Sequence, residues 1–222
     1  MGFGVLFAGY FLILNIAYFL ITDVIAAAMM ALGLSKLAYL NRGFKAAFAC
    51  SIVFLVFSII EFGFGAYEML FSYTAAPELV SYGAIARNVL LCILSFTAFD
   101  GMREVSKEVE LDELAKRSRC VAFLALPVFV FAIVAETPVF FAHISPYVAA
   151  VISVAAMLAT IAYHIFGLTV IYKCYANIFI PENDDEQHNS SNKKKKNETF
   201  AEAYRRQRDD RQAAKAQMKK KK

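Results

Sequence analysis

The chain is predicted to be all-α, a polytopic bundle of transmembrane helices, and three observations carry that prediction. Apolar runs recur along residues 1–180, each near the roughly 20 residues a helix needs to cross ~30 Å of hydrocarbon. Charge is crowded elsewhere, into the stretch 100–119 and the tail after Pro181. Apolar residues are 59% of the chain, above the roughly half found in soluble domains.

Five spans follow in order. Span 1 begins near Phe3 and runs through Ile21, with an extension toward Leu34. Span 2 covers Phe44 to Leu70, span 3 Pro77 to Phe99, span 4 Cys120 to Phe141 and span 5 Tyr147 to Tyr172. The stretches TAAPE (Thr74–Glu78) and HISP (His143–Pro146) separate the last four spans into pairs. Each puts a proline in the first turn of the next helix, where its missing N–H does no harm. Pro181 is expected to end the last helix. A rival with six spans folds Val24–Leu40 back as a hairpin. It needs a turn at ITDV (Ile21–Val24), which has neither Gly nor Pro, and it buries Lys36. Five spans are therefore expected.

Orientation follows from the basic residues. Loop 1–2 carries Lys36, Arg42 and Lys45, and loop 3–4 carries Arg103, Lys107, Lys116, Arg117 and Arg119. Lys173 and the tail hold the rest, except Arg87 inside span 3. Basic loops stay in the cytoplasm, which places the N-terminus outside and the C-terminus in the cytoplasm. The N-terminus lacks a basic n-region and its apolar run exceeds an h-region, so an uncleaved span is expected there. The location implied is the cell membrane, or the endoplasmic reticulum in a eukaryotic host, where the terminal KKKK would serve as a dilysine retrieval signal.

Two parts are expected: a bundle over 1–180, with a charged cytoplasmic helical loop at 100–119, and a charged tail over 181–222. In the loop, Asp112 pairs with Lys116 and Glu113 with Arg117 at i, i+4, so a short helix should continue span 3. The tail is polar enough to be largely disordered, with partial helicity started by a capping box at Thr199 and Glu202. From Lys193 to Lys222 it holds thirteen Lys or Arg against four acids.

The spans themselves hold few ionisable groups. Glu61 ends the stretch AAFACSIVFLVFSIIE, and Glu136 ends VAFLALPVFVFAIVAE at an offset of 75 residues. At the same offset Arg42 meets Arg117, Phe48 meets Phe123 and Phe54 meets Phe129. The match makes spans 2–3 and 4–5 a candidate duplicated helix pair, with chance likeness between apolar segments as the alternative. At 1.5 Å per residue, Glu61 lies about 24 Å beyond Lys45, Glu136 about 25 Å beyond Arg119, and Arg87 about 15 Å into span 3. Charges at such depth cost a few kcal/mol unless paired or hydrated. Glu61, Glu136 and Arg87 should therefore face inward as one polar cluster, either a structural Arg–Glu pair that fixes helix packing with the other Glu reaching the outer surface, or a hydrated cavity where a Glu binds a proton or cation. Gly63 and, at the matching position, Pro138 should loosen both helices just past the glutamates.

A second, inner set comprises Asp23 and His164, which with Asn15 and Tyr163 would extend a polar path inward as a relay. A lone membrane His is more often hydrogen-bonded to a neighbouring helix than a proton relay. No two His or Cys stand at ligand spacing, so no metal site is assigned, and no cofactor motif appears. Cys50, Cys92, Cys120 and Cys174 form no CxxC pair and are expected to be reduced. Hydrolase, kinase, nucleotide-binding and metalloprotease signatures are absent, which argues against an enzyme.

Two functions stay open. One is a small transport or sensing core in which the Glu/Arg cluster couples to a proton or cation. The other is a non-catalytic scaffold or accessory subunit that docks a protein partner, anionic lipid or a ribosome's RNA through Lys193–Lys222. Anionic headgroups attract such segments by about 1 kcal/mol per basic residue, and RNA attracts the same charges.

Overall fold

A computed structural model describes residues 2–14, 20–71, 77–137 and 144–178. Among them all regular structure is helical: α1 (Gly2–Leu12), α2 (Leu20–Leu37), α3 (Arg42–Phe71), α4 (Pro77–Glu108), α5 (Asp112–Glu136) and α6 (Pro146–Asn177). The helices α3 to α6 are long and apolar enough to cross a membrane, as in a membrane protein. Each helix packs on the next, and α1 closes the ring against α6.

The first expected span is the main correction. Instead of one helix from Phe3 through Ile21, the described chain has two that run antiparallel. A Cβ built on Gly9 would lie 2.7 Å from the Met30 backbone nitrogen, and one on Gly33 would lie 2.6 Å from that of Leu6. Backbones this close require glycine, the small-residue contact by which apolar helices associate. Helix α2 has already begun at Leu20, so the reversal of direction precedes ITDV. Lys36 sits exposed at the end of α2, so folding back does not bury it.

This hairpin also changes the ends. Gly2 lies against Leu37, Gly4 against the Tyr175 ring, and Gly43 against Gly101. The first described residues and the close of α6 therefore share one end of the bundle. Opposite placement of the termini, expected from five crossings, is not what the described helices have.

Local chemistry explains the turns at that end. Asn41 precedes α3 and accepts from the Phe44 N–H through Oδ1 at 2.8 Å, an N-cap bond. Its Nδ2 donates to the Gly101 carbonyl at 2.8 Å, tying the start of α3 to α4. After α4, the Leu111 N–H donates to the Ser106 carbonyl at 2.8 Å and that of Glu110 to Lys107 at 3.1 Å. These two bonds make a Schellman ending, with Glu110 at φ 60° where glycine is usual. Residues 100–108 thus continue α4, as expected of the charged loop, and 112–119 open α5 instead. The Glu113–Arg117 pair forms at 3.2 Å.

At the other end, Ser145 caps α6 and Pro146 occupies its first turn, as expected. Helix α5 stops at Glu136, and Thr137 is extended (φ −82°, ψ 114°). A residue before proline is pushed out of the α region, and Pro138 follows. Helix α3 runs unbroken through Gly63 to Phe71, so the expected loosening there does not occur. The tail over 181–222, with Pro181, Lys193–Lys222 and the capping box, lies outside the described residues, as do Asn15 and His143.

The core is densest toward the end that holds Gly2 and Leu37. Phe3, Leu34, Leu37, Phe44, Phe99 and Met102 are buried there, and the Phe3 and Phe44 rings meet edge to face at 5.9 Å. Along the far half of α3, Ile59, Phe62, Phe64, Met69, Leu70 and Phe71 are exposed. An apolar helix exposed in this way has the surface lipid chains would cover.

Candidate functional site

One face of α4 carries the site. Arg87, Leu91, Ser95 and Phe99 follow at four-residue spacing, which lines them along one side of a helix. Leu91, Ser95 and Phe99 are buried in the ring, so the same face turns Arg87 toward its neighbours.

Arg87 holds two carboxylates. Its Nη2 donates to Glu61 Oε2 at 2.6 Å and its Nε donates to the same oxygen at 3.1 Å. Its Nη1 lies 3.3 Å from Asp23 Oδ2. The other Glu61 oxygen lies beside Gly83, one turn before Arg87, where a Cβ would stand in ordinary contact with it at 3.5 Å. Three helices, α2, α3 and α4, thus contribute one charged side chain each. The Glu61 and Asp23 side chains are 19% and 18% exposed, and that of Arg87 is 34%. The set is partly shielded, not sealed.

Glu61 and Arg87 come together. Glu136 is exposed at the last turn of α5, and its carboxylate forms no ion pair among the described residues. Its backbone carbonyl instead accepts from the Ser81 hydroxyl. Ser81 is six residues before Arg87, about 9 Å along the helix. The two glutamates that correspond at an offset of 75 thus have different surroundings.

Asp23 is the second correction. Counted along a single span it belongs near the cytoplasmic boundary, beside His164. Because α2 runs back antiparallel to α1, Asp23 is carried to the level of Arg87 instead. The inner relay of Asp23 with His164 is not assembled.

His164 occupies a different place, in the middle of the ring. Its imidazole centroid lies 5.1 Å from that of Tyr10, 5.6 Å from Tyr163 and 6.2 Å from Phe129. Tyr10 also meets Phe99 edge to face at 5.9 Å, and Phe129 meets Tyr163 at 5.5 Å. Ser95 of α4 stands close to both tyrosine hydroxyls. Tyr10 was not legible as a partner of His164, because a Tyr is ordinary in an apolar helix and only α1's position next to α6 brings the two rings together.

Among the described residues no group of three His, Cys, Asp or Glu could hold a metal ion, and the four cysteines are unlinked. Compared with protein-family models, with curated proteins and with solved structures, the chain matches none.

Proposed function

We propose that the bundle is a small transport or sensing core in which Asp23, Arg87 and Glu61 bind a proton or a cation. The observation that carries this reading is the sharing of one guanidinium by two carboxylates from different helices. With both carboxylates ionised the trio has one negative charge more than positive. In apolar surroundings such an excess is costly, and a proton or a cation removes it. Glu136, exposed at the end of α5, stands where an approaching cation would first meet negative charge.

The basic loops support a cytoplasmic setting for the end that holds Arg42, Lys45, Arg103 and Lys107. With the hairpin in place, that assignment brings Gly2 to the cytoplasmic side together with the end of α6. The membrane that fits is the cell membrane, or the endoplasmic reticulum of a eukaryotic host.

The test is flux. Purified protein in liposomes containing a pH-sensitive dye should carry protons, or a monovalent cation under an imposed gradient. Glu61→Gln and Asp23→Asn should each abolish it. Flux equal to wild type in both variants would overturn the cluster's role.

A second reading is favoured by the tail's charge: a scaffold that docks on anionic lipid or ribosomal RNA through Lys193–Lys222. Absence of flux, with salt-dependent liposome or ribosome binding lost on deleting Lys193–Lys222, would favour it.

A further inference from the structure

At the centre of the ring, three buried polar atoms lack a well-formed hydrogen bond: the Tyr10 hydroxyl, the Tyr163 hydroxyl and His164 Nδ1; the two hydroxyls lie near each other and near Ser95, whereas Nδ1 has no donor beside it. Their residues are 5%, 2% and 4% exposed. They come from α1 and α6, and the aromatic rings that carry them are in mutual contact. Gly167, one turn along α6 from His164, admits the Tyr10 hydroxyl, which a Cβ there would meet at 2.9 Å. Ser95, 2% exposed, adds a third hydroxyl from α4.

Each buried polar group left unpaired costs about 1–3 kcal/mol. Close packing brings the two phenol hydroxyls near Ser95 but leaves His164 Nδ1 without a donor. The rings that meet His164 are those of Tyr10 on α1, Phe129 on α5 and Tyr163 on α6, with Ser95 of α4 beside the two tyrosine hydroxyls, and none of these groups is charged. No ion is matched by this set. What fits is a small neutral molecule that both donates and accepts, held by about three polar partners, the usual coordination of a buried water.

We propose that Tyr10, Ser95, Tyr163 and His164 form a binding site for one internal water molecule, which donates to His164 Nδ1 and bonds with the two phenol hydroxyls. The water joins α1, α4 and α6 at the point where the hairpin meets the last helix. The site is separate from the outer cluster. Ser95 lies eight residues from Arg87 on the same face of α4, about 12 Å away, with buried Leu91 between them. The inference therefore goes beyond the proposed function and does not rest on it.

Solid-state NMR of the full chain in lipid bilayers, labelled with ¹⁵N-histidine, tests it. The His164 imidazole signal is assigned by its loss in His164→Phe. Magnetisation started on water protons should reach Nδ1 of that ring in the wild type. Tyr10→Phe and Tyr163→Phe should each weaken the transfer, and the two together should abolish it. Where the double variant does not fold, a weakened transfer in either single variant carries the same result. No transfer in folded wild type would overturn the proposal. So would transfer unchanged in both single variants, or an Nδ1 bonded directly to a tyrosine hydroxyl. Loss of flux in Glu61→Gln with no water at His164 would leave the proposed function standing and this site refuted.

Discussion

Arg87 donates twice to a single oxygen of Glu61, at 2.6 Å and 3.1 Å, while its remaining nitrogen faces Asp23. The pair joins α3 to α4, and Asp23 adds α2. A guanidinium suits this role because its planar fork can serve two acceptors at once.

Removing the shared partner should cost most. Arg87→Leu strands two carboxylates and should destabilise the bundle by about 3 kcal/mol. Glu61→Gln and Asp23→Asn should cost about 1 kcal/mol each, because the guanidinium keeps one partner. Glu136→Gln should change stability by less than about 0.5 kcal/mol, as expected for an exposed side chain. Thermal unfolding in detergent would show the order. Equal losses for Arg87→Leu and Glu136→Gln would contradict it.

Close approach of α1 and α2 predicts a contrast between two glycines. Gly33→Ala puts a methyl group 2.6 Å from the Leu6 nitrogen and should cost about 1–3 kcal/mol. Gly63→Ala meets nothing within 4 Å and should stabilise α3 by about 0.5–1 kcal/mol. The same unfolding measurement distinguishes them, and a harmless Gly33→Ala would argue against the hairpin.

Glu110 holds a left-handed conformation at φ 60°, which costs an L-residue with a Cβ roughly 1–2 kcal/mol. Glu110→Gly should therefore stabilise the protein by about 0.5–1 kcal/mol once the extra freedom of glycine in the unfolded chain is subtracted. A lower melting temperature in the variant would mean that this side chain's own contacts outweigh the relief.

The ends can be located by labelling. In a background with the native cysteines replaced, single cysteines at Gly2 and Asn177 should react with an impermeant thiol reagent from the same side of the membrane. A cysteine at Ala76 should react from the other. Reaction of positions 2 and 177 from opposite sides would restore the five-span arrangement.

Much of this architecture was legible because it is local. Apolar length marks helices α3 to α6. Pro77 and Pro146 mark the starts of α4 and α6, and Pro138 accounts for the end of α5, since proline's limits act on its immediate neighbours. That Arg87 needs a carboxylate was legible too, because the cost of an unpaired charge at depth belongs to the residue wherever it stands. Which carboxylate serves it was not. Glu61 and Glu136 end alike apolar runs, yet one is brought against Arg87 and the other is exposed at a helix end. Asp23 joins the cluster because α2 runs antiparallel to α1, reversing the depth of everything on α2. That reversal depends on Gly9 meeting the Met30 backbone and Gly33 that of Leu6, contacts between residues 21 and 27 positions apart. The sequence by itself determined that the charges must be paired. Only tertiary packing decided the partners, because a partner is chosen by the direction in which a neighbouring helix runs.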